Sequence, residues 1–156
     1  MKYIGFLIFI LLFNTGSFAQ SKLSFSYQVK KDSIDKNIMH VDAKIVNKGN
    51  TGICFLSESC NGLDYYISCD NADVQVWIFF NCNATYPVIN NIGAGSEYKF
   101  ETHLRLNPTV SHFSLQLKLF LTDCDYSAEG KNIGDIQSDN SLNMVVISGP
   151  EIDLSN

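Results

Sequence analysis

The chain has 156 residues, 17% of them charged, with 16 Asp and Glu against 11 Lys and Arg and a formal net charge of −5. An acidic surplus without long like-charge blocks argues against nucleic acid and anionic membrane surfaces as partners, because both are held by clustered Lys and Arg. Arg105 is the sole arginine, which disfavours a forked guanidinium clamp for phosphate or carboxylate as well.

Lys2 precedes a wholly apolar run from Ile4 to Phe13, and Ser17-Phe18-Ala19 puts small residues at the two positions a signal peptidase reads. Residues 1–19 are therefore predicted to be a cleavable secretion signal, with Gln20 first in the mature chain. The apolar run is roughly half of the ~20 residues a spanning helix needs, so no integral membrane anchor is expected. No cysteine follows it closely, which disfavours a lipid-modified leader. The remainder, 20–156, is of a length for one domain with a single core. It is one charge unit more acidic than the whole because Lys2 is lost.

From there the pattern has period two. Leu23, Phe25, Tyr27 and Val29 alternate with polar residues, and Met39, Val41, Ala43 and Ile45 repeat the pattern before the turn Asn47-Lys48-Gly49-Asn50. Shorter strands are predicted over Ile53 to Ser57, Tyr65 to Ser68 and Val74 to Phe80. In the last of these Val74, Val76, Ile78 and Phe80 are expected to face the core, leaving Trp77 and Phe79 outward. Ile92-Gly93-Ala94-Gly95-Ser96 reads as a turn into the strand Tyr98 to Leu106, which Asn107-Pro108 ends, since proline cannot donate to a ladder. Phe113 to Leu121 alternates next. Asp123 to Asn140 is polar and is predicted to be a loop, and Leu142 to Ser148 is the last strand. About eight strands with Gly, Asn, Asp and Pro punctuation predict an all-β chain, an antiparallel sandwich or barrel of 7–9 strands.

The five cysteines, Cys54, Cys60, Cys69, Cys82 and Cys124, all follow the leader, and an odd count leaves at least one unpaired. Sequence leaves the pairing open. Cys60 with Cys82 is the preferred single disulfide, because both stand in turn-like surroundings flanking two predicted strands, while Cys54 reads as a buried strand residue. No C-x-x-C spacing points to redox chemistry, and no close Cys and His pairs point to zinc. No G-x-S-x-G, P-loop, H-E-x-x-H or recognisable carboxylate pair is present, and no catalytic residue or cofactor is assigned. Asp123, Asp125 and Glu129 loosely resemble a calcium loop, yet Ala128 stands where a sharp turn needs glycine, and the simpler reading is a solvated acidic loop. His40 and His103 fall on polar strand faces, and His112 at a strand entrance. Asn83-Ala84-Thr85 matches a glycosylation acceptor.

The strand count, the strand and turn from Val41 to Asn50, and the Ile92 to Ser96 turn before a long strand resemble the small immunoglobulin-like β-sandwich proteins that bacteria export. The resemblance is one of plan, and it implies the fold. Cys54, Trp77 and Cys124 follow one another as Cys, Trp and Cys do in antibody domains. Two strands already precede Cys54, however, Trp77 lies far beyond it, and Thr122 stands where a tyrosine corner needs Tyr, so the antibody disulfide is not carried over.

Aromatics on a polar sheet face mark contact surfaces. Trp77 and Phe79, with Tyr65, Tyr66 and Tyr86 in or beside asparagine-rich turns, are the candidate binding residues. The leading expectation is a non-catalytic binding or interaction module, periplasmic or extracellular, with a protein or glycan partner. The alternatives are a secreted enzyme or accessory domain using the acidic loop, with or without calcium, and an inhibitor of an exported protease.

Overall fold

The computed structural model describes residues 22–80, 82, 84–139 and 142–155. The predicted leader with its cleavage site, and Asn83 of the glycosylation acceptor, lie outside the described residues. Among the described residues nine strands form two antiparallel sheets: β1 (Leu23–Lys31), β2 (Ile38–Asn47), β3 (Ile53–Glu58), β4 (Ile67–Cys69), β5 (Val74–Val76), β6 (Pro87–Ile92), β7 (Glu97–Leu106), β8 (His112–Thr122) and β9 (Asn143–Asp153). The first sheet runs β1-β2-β7-β5, and the second runs β4-β8-β3-β6 with β9 beside β8. The first order is the A-B-E-D sheet of an immunoglobulin-like sandwich, and β3, β8 and β9 hold the C, F and G positions opposite it.

The period-two pattern builds this arrangement directly. Phe25, Tyr27, Val41, Ala43 and Ile45 of the first sheet, and Phe113, Leu115, Leu117 and Leu119 of β8, are buried in one continuous core. Each buried Val, Leu, Ile or Phe among them contributes roughly 1.5–3 kcal/mol by leaving water, and Ala43 less. The rings of Phe55 and Tyr98 meet edge to face across the sheets, with centroids 5.1 Å apart. The hinge between the layers is Asn47, which is 1% exposed. Its amide reaches the carbonyls of Thr51, Ile92 and Gly93, so the predicted turn after β2 also fastens the β6–β7 connection.

β3 is buried on both faces. Phe55 points into the sandwich, so Cys54, Leu56 and Glu58 point to the outer side of the second sheet. There the excursion between β3 and β4 folds back over them. Tyr66 packs on Phe120 with ring centroids 5.7 Å apart. The Tyr66 hydroxyl donates to the buried Glu58 carboxylate at 2.7 Å, and Thr85 donates to its other oxygen at 2.9 Å. β3 and β4 therefore occupy successive stretches of one edge of β8, interrupted by this covering loop, while β9 takes the other edge.

Several expectations need correction. Tyr65 and Tyr66 do not begin a strand: Asp64–Tyr66 is a 3-10 turn, and only Ile67–Cys69 is extended. β5 stops at Val76, and Ile78 and Phe80, expected in the core, are 36% and 73% exposed. The segment after β8 is not all loop, since Asn132 caps a short helix, α1 (Ile133–Gln137), whose Ile136 is fully buried. β6 has no counterpart in the predicted strands, because Asn90 and Asn91 break the apolar alternation; their amides bond to Ser57 and to the sulfur of Cys54.

Two disulfides are present, and Cys69 is the remaining thiol. Cys60 pairs with Cys82. Cys54 is not a lone buried residue but pairs with Cys124, with Cα atoms 5.2 Å apart. This is not the antibody bridge. Cys54 lies opposite Thr122 on the neighbouring strand, so the bond joins β3 to the exit of β8 within one sheet rather than spanning the two. No helix among the described residues is long and apolar enough to cross a membrane.

Burial raises the hydroxyl pKa of Tyr27, Tyr66 and Tyr98 above the ordinary value of 10.0, and for Tyr66 the Glu58 carboxylate adds to the rise. An unfolded tyrosine ionises before a folded one here, so the stabilisation is complete below about pH 10 and is lost as pH climbs beyond it. We expect the urea midpoint to hold steady up to about pH 9.5 and to fall steeply above about pH 10, with Tyr66→Phe falling less steeply. Parallel curves would contradict this account.

Candidate functional site

The outer face of the first sheet carries cross-strand rows set by the register. Lys30, His40 and His103 form one row, and Gln28, Asp42 and Glu101 the next, followed by Ser26, Lys44 and Lys99. Asp42 thus faces Glu101, and Lys44 faces Lys99, arrangements that cost stability because like charges directly opposite repel. Glu97 relieves the basic row, reaching Lys44 at 3.3 Å and Lys99 at 2.8 Å. A cavity of about 290 Å³ opens among Lys30, His40, Asp42, Glu101 and His103. A larger one of about 580 Å³ adjoins it, sharing Asp42 and Glu101 and extending to Lys44 and Lys99. The face is a charged trough.

At its β5 edge the trough meets aromatic side chains. Trp77 has left β5, yet its N–H still donates to the carbonyl of His103 at 2.7 Å, which sends the indole to the outer face. Arg105 lies over that indole, its guanidinium carbon 3.5 Å from the ring centroid. Phe79 is 55% exposed. Its ring centroid is 6.0 Å from that of Trp77 and 4.6 Å from that of His103. His103 continues the chain: its Nε2 is 2.9 Å from Nδ1 of His40, whose Nε2 is 2.7 Å from the Asp32 carboxylate. Asp32 also accepts from the N–H groups of Ile34 and Asp35, and its pKa is held at about 2, first by the Asp35 N–H and then by His40.

The Cys60–Cys82 disulfide ties the covering loop after β3 to the ribbon that follows Trp77. Asn61 reinforces it, donating to the Phe80 carbonyl at 3.2 Å and to the Tyr65 hydroxyl at 3.3 Å. Tyr65 is thereby brought beside the ribbon and is 43% exposed, whereas Tyr66 is 2% exposed and belongs to the covering layer, which removes it from the candidate surface. Tyr86 is also exposed, and Ile78 and Phe80, expected to face the core, join this surface as well. Of the seven exposed large hydrophobics among the described residues, five (Tyr65, Ile78, Phe79, Phe80 and Tyr86) lie in these two stapled segments.

The acidic loop offers less. Asp123, Asp125 and Glu129 are exposed, and among the described residues no three His, Cys, Asp or Glu side chains gather as a metal site. Its ordered feature is elsewhere, where Lys131 bonds to the Tyr126 hydroxyl at 2.6 Å and to Asp139 at 2.8 Å.

No protein-family model and no curated protein matches this chain. Among solved structures it is similar to a FixG-related protein from Vibrio parahaemolyticus, at 10% identity and a TM-score of 0.37, over 86% of this chain and 98% of that one. It is also similar to the ASH / PapD-like domain of human CEP192 (PapD-like domain 7), at 7% identity and a TM-score of 0.32, over 99% of each chain. Both likenesses are distant, and the assignment of the sandwich rests on the strand pairing itself.

Proposed function

We propose that this protein is a non-catalytic interaction module that works outside the cytoplasm and captures a protein partner through Trp77, Phe79 and the stapled ribbon that follows them. The observation that carries this reading is the concentration of exposed large hydrophobics in two segments joined by one disulfide, beside a charged trough. Aromatic anchors rimmed by charge are the usual composition of protein contact surfaces. A protein fits better than a glycan, because Arg105 covers one face of the indole, the ring a sugar would stack on. The predicted leader and the two disulfides support an exported, oxidising destination.

The test is affinity capture of partners from the native envelope and medium with wild-type protein and with a Trp77→Ser, Phe79→Ser double variant. Capture is expected to fall at least tenfold while the far-ultraviolet spectrum stays the same, a loss of about 1.4 kcal/mol or more in binding. Undiminished capture would remove the reading, and selective retention on a glycan array would replace the protein by a sugar.

A further inference from the structure

We propose that the His40–His103 pair is a proton-operated latch on the aromatic strip: a second proton on the pair parts the two rings and unseats Phe79 from His103. The latch is a property of the free protein; its consequence for capture rests on the reading of the strip as a contact surface.

Hydrogen-bond valence dictates the behaviour. An ionised carboxylate only accepts, so the His40 Nε2 that lies 2.7 Å from Asp32 carries a hydrogen. Neutral His40 then presents a bare Nδ1, to which the His103 Nε2 donates across 2.9 Å. The donors run one way, from His103 through His40 to Asp32. A first proton on the pair is accommodated without movement: one N–H between the facing nitrogens still satisfies both rings, each of which keeps a hydrogen on its far nitrogen. A second proton leaves N–H groups and positive charges on both facing nitrogens, and the contact cannot survive.

The surroundings determine which ring yields. His103 is harder to protonate than an ordinary imidazole, first because it is partly buried and then because of His40; Asp64, Glu101 and Asp32 oppose this. Lys30 stands directly across from His40 on β1, Arg105 two residues from His103 on β7, and Asp42 two residues from His40 on β2. Trp77 and Phe79, which pack from the ribbon, bring no charge. His103 therefore takes the second proton and is the ring that swings. Phe79 lies nearly perpendicular to it, at 86°, outside any ladder, so moving His103 removes its seat, and Trp77 loses its neighbour.

Trp77 is the only tryptophan, so the intrinsic fluorescence of the full chain reads the strip without a partner. Lowering the pH from about 8 to about 5 is expected to give one sigmoidal change with its midpoint below the ordinary imidazole value of roughly 6.5. His103→Gln and His40→Gln should each abolish it, and each leaves the other as a check if one variant fails to fold. Proton NMR of the wild type should show the His103 ring titrating below that same value. A flat wild-type fluorescence curve, an unchanged transition in both variants, or His103 titrating at or above the ordinary value would each overturn the latch. Capture by the wild type should fall on acidification and that by His103→Gln should not. A normal transition with capture indifferent to loss of Trp77 and Phe79 would retain the latch and remove the contact surface. A flat transition with capture lost would do the reverse.

Discussion

Replacing Cys54 and Cys124 together by alanine is expected to lower the unfolding free energy by roughly 4 kcal/mol and the melting midpoint by about 10–20 °C. The bond closes a loop with a sequence separation of 70, against 22 for Cys60–Cys82, and a longer loop removes more freedom from the unfolded chain. The corresponding loss for the shorter loop is roughly 3 kcal/mol. The two changes should differ in kind as well. Cys54 is 3% exposed and lies where β3 meets β8, so its loss loosens the pairing of the second sheet and leaves the Asn91 amide without the sulfur it contacts. Cys60–Cys82 staples a ribbon that has already left the ladder, so its loss should change the Trp77 emission before global unfolding begins. Urea denaturation followed by fluorescence and by far-ultraviolet dichroism separates these outcomes. Equal midpoints for wild type and the Cys54, Cys124 double variant would refute the first claim.

What was legible in the sequence is what local alternation encodes. β1, β2, β7 and β8 exchange apolar and polar residues along most of their length, and one sheet face must be dry for such a pattern to be useful, so the all-β sandwich follows from them. The outward direction of Trp77, which keeps its bond to β7, is legible for the same reason. The failures lie where a distant contact overrides the local pattern. Ile78 and Phe80 keep the period but not the ladder, because the chain is drawn toward Cys60 and Asn61 once past Trp77. Adjacent tyrosines in a turn look alike in sequence, so Tyr66 reads like Tyr65; the 3-10 turn points one outward and sends the other onto Phe120. Cys54 gave no local sign of its partner, since the register that sets it beside Cys124 belongs to another strand. The His40–His103 pair was equally hidden. Each histidine alone reads as a surface residue, and only the pairing of β2 with β7 places them opposite each other.

The end of the last strand shows the same limit and yields the second large effect. The last strand, expected to end at Ser148, continues to Asp153 as β9, because Gly149 and Pro150 both stand opposite the single residue Leu115 in a bulge between the Ser114–Glu151 and Gln116–Ser148 pairs. Pro150 has no N–H to offer, and the ladder is broken there. Tyr27 of the other sheet repairs the break: its hydroxyl accepts from the Leu115 N–H at 2.9 Å and donates to the Pro150 carbonyl at 2.5 Å. The ring reaches that far only because Gly149 has no side chain. A methyl at Gly149 would collide with Cε1 of Tyr27, and would meet Cδ1 of Tyr27 at 2.9 Å and Cδ1 of Phe25 at 3.2 Å. Gly149→Ala must displace Tyr27, which adds an overpacking cost of about 1–3 kcal/mol to the cost of a buried unpaired N–H, also about 1–3 kcal/mol. We expect a total near 3–4 kcal/mol, and about 1–3 kcal/mol for Tyr27→Phe, which keeps the ring but loses the hydroxyl. Because both substitutions act through one contact, Gly149→Ala should cost markedly less in a Tyr27→Ala background than in the wild type, and a double-mutant cycle by urea denaturation measures the difference. Additive losses would mean that the glycine serves the bulge alone and that the seam between the sheets is closed by something other than Tyr27.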